Sequence, residues 1–173
     1  MDPHPYRQAY EANDLERLVS LLADDVVFHS AIITEPGFEG RDSAAAFFAI
    51  VLDMFEDNQF THEFADDRSH LLVADARVLD KPVMTTWRLE FDGEGKIREI
   101  WPMARPLIAA IAIAEAVGRA AERAGLGSEI RELAEQLAGP VADLDRVGRG
   151  AIADLNRTAT SETRQLARPA RPT

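Results

Sequence analysis

The chain contains no cysteine. Disulfide frameworks, thiolate nucleophiles and cysteine-based zinc sites are excluded together. It also has no long apolar run. The most apolar stretch, Leu107 to Ala114, falls well short of the roughly 20 residues that cross a bilayer, so no membrane association is expected. The N-terminal MDPHPYRQAY lacks the basic-then-apolar layout of a secretory leader, and a cytoplasmic protein is the expectation. Positive charge is scarce where it would matter for nucleic acid: residues 1–105 carry 21 acidic against 10 basic side chains, whereas residues 106–173 carry 9 of each. The net charge of −11 therefore sits on the first part, where it repels phosphate backbones and anionic lipid. Short catalytic signatures are missing as well. His4, His29, His62 and His70 form no helical i, i+4 pair and no H-E-x-x-H, and no G-x-S-x-G or phosphate loop occurs. His62-Glu63 are neighbours on a strand and point to opposite faces, so they cannot chelate together. No cofactor and no metal are expected, and no internal repeat is present.

What the sequence does hold is a clear order of elements. Asp14 can cap a helix with Leu15, Leu18, Val19 and Leu22 on one face, after a short first helix at 5–12 that turns Tyr6, Ala9 and Tyr10 inward. Asp24-Asp25 end it, and Val26, Val27 and Phe28 supply a buried strand with His29 directly behind. A loop with Pro36, Gly37 and Gly40 follows. Asp42 or Ser43 can cap the next helix, whose stripe is Phe47, Phe48, Val51, Leu52 and Phe55. After a turn at Asp57-Asn58 the period becomes two, predicting strands at 60–65, 71–79, 83–91 and 96–103 joined by Asp-, Pro- and Gly-containing turns. Three helices on a curved antiparallel sheet predict an α+β cone.

The LLADDVVFHS run into the first strand, the FEGRDSAAAFF entry to the third helix and the DGEGKIREIW hairpin resemble the nuclear transport factor 2-like superfamily, SnoaL-like branch, over residues 5–107. The resemblance implies a cone-shaped barrel with an interior ligand pocket, an apolar small-molecule ligand and a homodimer formed through the sheet. It also permits comparison with two enzyme branches. The limonene epoxide hydrolases keep an arginine and an aspartate two apart on a middle strand. Here that pair is Arg77 and Leu79, and the last-strand carboxylate position is Met103. The base of the ketosteroid isomerases falls at Ser30, with Tyr10 available as an oxyanion donor.

Candidate site residues follow from the strands. A neutral His29 could act as a general base near pH 7, or it could hydrogen-bond in the core or face the far side of its strand. Among the strand charges, Arg88 and Glu90 alternate with Trp87, Leu89 and Phe91 and are expected to point outward. Strict alternation along the last strand puts Ile97, Glu99, Trp101, Met103 and Arg105 on one face, which makes Glu99 and Arg105 pocket candidates beside Arg77. Tyr10, Phe28, Phe47, Trp87, Trp101 and Met103 complete the expected lining. With His29 as base, and Arg77, Glu99 and Arg105 orienting it or stabilising charge, the activity would be cofactor-independent isomerisation, cyclisation or hydration of an apolar ketide, steroid or terpene-like compound. The alternative is a non-catalytic dimeric interaction module that uses its C-terminal helices.

Three segments are expected: a cone over 1–106, a helical extension over 107–157 and an irregular tail over 158–173. Pro106 can open the first extension helix, with Leu107, Ile108, Ile111, Glu115 and Val117 on one side. Gly125 and Gly127 interrupt it. Ser128 can cap a second helix ending at Gly139-Pro140, and a third, to Asn156, has Leu144, Val147, Ile152 and Leu155 as its face. The plain reading of the extension is that its first helix packs on its own domain as a buttress; the sharper reading is a lid over the cone mouth or an arm to a second subunit.

Overall fold

A computed structural model describes residues 3–32, 37–125 and 127–166. Helix α1 (Pro5–Glu11) is capped by His4, whose Nδ1 accepts the Tyr6 N–H at 3.1 Å. Helix α2 (Leu15–Ser20) starts at Asp14, whose carboxylate accepts the Arg17 N–H at 2.9 Å. That bond satisfies one of the donors a helix start leaves open. Strand β1 (Leu22–Phe28), the short β2 (Phe38–Glu39) and helix α3 (Arg41–Met54) follow. Gly40 occupies the cap position of α3 with no side-chain bond, so neither Asp42 nor Ser43 plays the expected part. Its φ of 82° lies where glycine is at ease and other residues are strained. The expected β1–β2 loop residue Pro36 lies outside the described residues.

The meander is β3 (Glu56–Ala65), β4 (Ser69–Val78), β5 (Lys81–Phe91) and β6 (Ile97–Arg105). All strands belong to one sheet ordered β2-β1-β6-β5-β4-β3. Neighbours run antiparallel except β1 and β6, which are parallel. The sheet is curved but does not close: among the described residues β2 and β3 are its edges, so the barrel expectation gives way to an open half-cone. Asp57-Asn58, read as a turn, lies inside β3, where the register shifts and Asp57 takes φ 53°. A bulge absorbs these two residues.

The sheet's inner face carries the core. Leu72 and Ala74 of β4, Trp87 and Leu89 of β5, and Ile97 and Ile100 of β6 pack with Tyr6, Leu18, Val26, Phe28, Phe48 and Val51. On β5 the predicted alternation holds: Val83, Thr85, Trp87 and Leu89 are buried and Arg88 is exposed.

Helix α4 (Leu107–Arg123) lies on β4 and β5, but not by the face the sequence suggested. Ala109, Ala112, Ile113, Ala114 and Gly118 are its buried residues, while Leu107 is exposed. Small side chains win here because they let the helix approach closely. At Gly118 any Cβ would collide with the backbone of Arg131 in the next helix. Gly125, at φ 76°, ends α4, its N–H bonding the Glu122 carbonyl at 2.9 Å. The two helices expected after it are one: α5 runs from Glu129 to Leu166 with Pro140 inside. A proline costs an interior hydrogen bond, but the amphipathic pattern continues in phase across it. The helix also extends into the segment read as an irregular tail, of which residues 167–173 lie outside the description.

Phe48 meets Tyr6 and Phe28 edge-on and is fully buried. Phe48→Ala should therefore cost about 3–5 kcal/mol, a large part of a domain's roughly 5–15 kcal/mol, measurable as a shift of the urea midpoint. Gly118→Ala should separate α4 from α5, and proteolysis should then cut α5 while the sheet resists.

Candidate functional site

Between the inner face of the sheet and helices α3, α4 and α5 lies a cavity of about 250 Å³. Phe28, Phe47, Trp87 and Met103, four of the expected lining residues, border it. Val51 and Met54 of α3, Phe55 just after it, and Ile111, Ile113, Ala114 and Val117 of α4 supply most of the remaining wall. Ile130, Leu133, Ala134 and Leu137 of α5 form a roof that the sequence offered only as one of three options. Polar side chains are few: among the described residues only the hydroxyls of Ser30 and Thr85 border the cavity. The Thr85 hydroxyl accepts the Trp87 indole N–H at 3.1 Å.

The four expected catalytic residues lie elsewhere. Glu90 pairs with Glu99 but Phe91 pairs with Ile97, so β6 carries one extra residue at this point. A one-residue insertion exchanges the faces of everything beyond it. Ile100, Pro102 and Ala104, opposite Leu89, Trp87 and Thr85, consequently turn inward. Glu99, Trp101, Met103 and Arg105, opposite Glu90, Arg88, Thr86 and Met84, take the outer face. Glu99, Trp101 and Arg105 are thus corrected from pocket to outer surface, whereas Met103, though paired on that face, borders the cavity as expected. His29 is carried outward for the simpler reason that it follows the inward Phe28. Its ring stacks on Trp101 at 3.3 Å and 13°, and its Nε2 is 3.5 Å from Glu99. Glu99 also accepts the Trp101 indole N–H at 3.0 Å. Arg77, between the buried Ala76 and Val78, is half-exposed and pairs with Asp80 at 3.2 Å. Tyr10 is buried against Phe60 and Trp87 and does not reach the cavity. Burial raises its pKa strongly and keeps its hydroxyl protonated.

A second polar cluster, centred on the strand charge Glu63, ties α1 to strands β3 and β4. Glu63 accepts the His4 backbone N–H at 2.9 Å, lies 2.8 Å from His70 Nε2 and 3.5 Å from Arg7. The His4 and His70 rings are 4.5 Å apart. Burial pushes the Glu63 carboxyl up, but the His4 N–H, His70 and Arg7 together bring it below the ordinary value. Burial and the nearby His70 lower His4, against the pull of Glu63. No group of three or more metal-ligating side chains is assembled among the described residues.

With this geometry in hand, comparison with known proteins becomes informative. The SnoaL-like domain model matches residues 5–100. The chain belongs to the SnoaL-like family. No curated protein matches it. Solved structures do. A steroid delta-isomerase from Pseudomonas aeruginosa is 28% identical, with TM-score 0.66 over 70% of this chain and 90% of that one. An uncharacterised protein with a cystatin-like fold from Silicibacter pomeroyi is 19% identical, with TM-score 0.67 over 74% and 90%. A putative ketosteroid isomerase from Kribbella flavida is 19% identical, with TM-score 0.51 over 59% and 73%. The family match ends before α4, so the upper wall and roof of this SnoaL-like cavity come from beyond the matched segment.

The His4–Glu63–His70 cluster predicts acid sensitivity. A group whose folded pKa is depressed contributes stability above its unfolded value and loses it as pH falls toward the folded one. For His4 that loss begins below about 6.5, and Glu63 adds to it further down. The melting temperature should fall as pH is lowered from 7.5 through 5, and His4→Gln should flatten the upper part of that slope in a thermal scan.

Proposed function

We propose that this SnoaL-like protein binds an apolar small molecule, of ketide, steroid or terpene-like character, in the cavity under α4 and α5. The observation that carries the reading is the lining: aromatic and aliphatic side chains throughout, with two hydroxyls as the polar side-chain groups. Such a wall rewards removal of apolar surface from water at about 25 cal/mol per Å² and offers no counter-charge to an ionised ligand. The volume of about 250 Å³ falls just below the roughly 300–1,000 Å³ of ligand pockets, which favours the smaller members of that class. Similarity to the steroid delta-isomerase supports the ligand chemistry. It supports the reaction less. Where the ketosteroid isomerases hold a base, Ser30 borders the cavity, and a hydroxyl takes up no proton at neutral pH. Isomerisation, cyclisation or hydration with His29 as base would need His29, Arg77, Glu99 and Arg105 at the cavity, and all four lie outside it. The acidic first part of the chain favours a partner other than nucleic acid or anionic membrane.

A homodimer is the second reading. The outer sheet face exposes Phe64, Trp101 and Met103, and helix α5 exposes a separate apolar stripe.

The cavity reading is tested by titrating the protein with a steroid or a monoterpene in a Trp101→Phe background, so that only Trp87 reports. Binding should shift its emission. Ala134→Phe, which fills the roof, should weaken binding at least about tenfold, or ~1.4 kcal/mol. His29→Ala should leave affinity unchanged; loss of binding in that variant would return His29 to the site and overturn the reading.

A further inference from the structure

Helix α5 has 38 residues, about 57 Å at 1.5 Å per residue. Its first turns roof the cavity, with Ala134 only 2% exposed. Beyond residue 142 the helix carries a stripe that nothing among the described residues covers. Leu144 is 63%, Val147 59%, Ile152 60% and Leu155 69% exposed. The ion pairs found there stay within the helix: Asp143 with Arg146, Asp145 with Arg149, and Asp154 with Arg157.

At 100° per residue, Leu144, Val147, Gly148, Ala151, Ile152 and Leu155 occupy one arc, and the six charged residues occupy the other. The order along that arc reads the same in both directions. Leu144 mirrors Leu155, Val147 mirrors Ile152, and Gly148 mirrors Ala151, about a point between residues 149 and 150.

We infer that this stripe pairs with the same stripe of a second copy, antiparallel, about a two-fold axis through that point. It rests on the dimeric reading and says where the dimer forms. An isologous contact requires a surface complementary to itself, and the mirrored order provides it, with like-sized side chains opposite each other. Gly148 and Ala151 then face each other at the centre, where small residues let two helices approach closely. In the single chain Gly148 has nothing near its missing Cβ, although glycine weakens a helix relative to alanine. Charge agrees. The first 105 residues carry the whole excess of negative charge, whereas the rest of the chain is balanced. The arm is therefore where two copies meet with least repulsion.

Light scattering on the full chain should show a dimer. Leu144→Asp combined with Leu155→Asp should give a monomer with unchanged circular dichroism. Because the chain has no cysteine, mild oxidation gives an orientation test that does not depend on disruption. Leu144→Cys chains mixed with Leu155→Cys chains should link covalently, and neither variant alone should do so. Self-linking of Leu144→Cys would mean a parallel pair and overturn the proposal. A dimer that survives the double aspartate variant would also overturn it, leaving a dimer formed through the sheet. A monomeric wild-type chain would remove the dimeric reading as well.

Discussion

Trp87 is the side chain on which the two halves of this molecule meet. Its indole lies 5.8 Å from Tyr10, 6.2 Å from Phe28 and 6.5 Å from both Tyr6 and Phe55. It thereby joins α1, β1 and the end of α3 over the middle of β5. Aromatic pairs of this kind add about 0.5–1.5 kcal/mol beyond the area they bury. Its N–H would be costly to bury alone, and Thr85, two residues earlier on the same face, takes it. The other side of the ring is the cavity floor. One residue thus closes the core beneath and opens the binding surface above, which is why the cavity has an aromatic base and no ionisable one.

How legible this was depended on periodicity. The meander, its hairpins and the inward set Val83, Trp87 and Leu89 could be read directly, because period-two alternation in β5 is unbroken. The same logic failed on β6. A bulge leaves no mark in a single sequence beyond one residue too many, and the extra residue between Ile97 and Glu99 reversed every assignment after it. Trp101, Glu99 and Arg105 were placed with the ligand for that reason alone. The roof was hidden differently. Alanines and a glycine on α4 score weakly in an apolar pattern, yet they set the distance at which α4 and α5 pack.

The outer cluster shows what His29 does instead. Glu90 and Glu99 face each other across β5 and β6, and like charges opposite one another on a sheet are unfavourable. Each is answered locally: Arg88 pairs with Glu90, and the Trp101 indole and His29 converge on Glu99. His29 is accounted for as part of an outer-face arrangement, stacked on Trp101 and beside Glu99. A histidine behind an apolar strand run looks identical in sequence whether it serves this purpose or proton transfer, since the facing of the strand is the deciding fact.

Helix α5 carries the cavity roof and the exposed apolar stripe on one element. Ile130, Leu133 and Leu137 at the roof are continued, in the same angular phase, by Leu144, Val147, Ala151 and Leu155 on the arm. A continuous helix transmits rotation along its length, so the roof residues cannot turn away from the cavity without turning the stripe away from whatever it contacts. Pro140, which stands inside α5 between the roof and the arm, is the point at which that transmission is weakest, because a proline in a helix interior costs about 3 kcal/mol relative to alanine, against about 1 kcal/mol for Gly148 or Gly150.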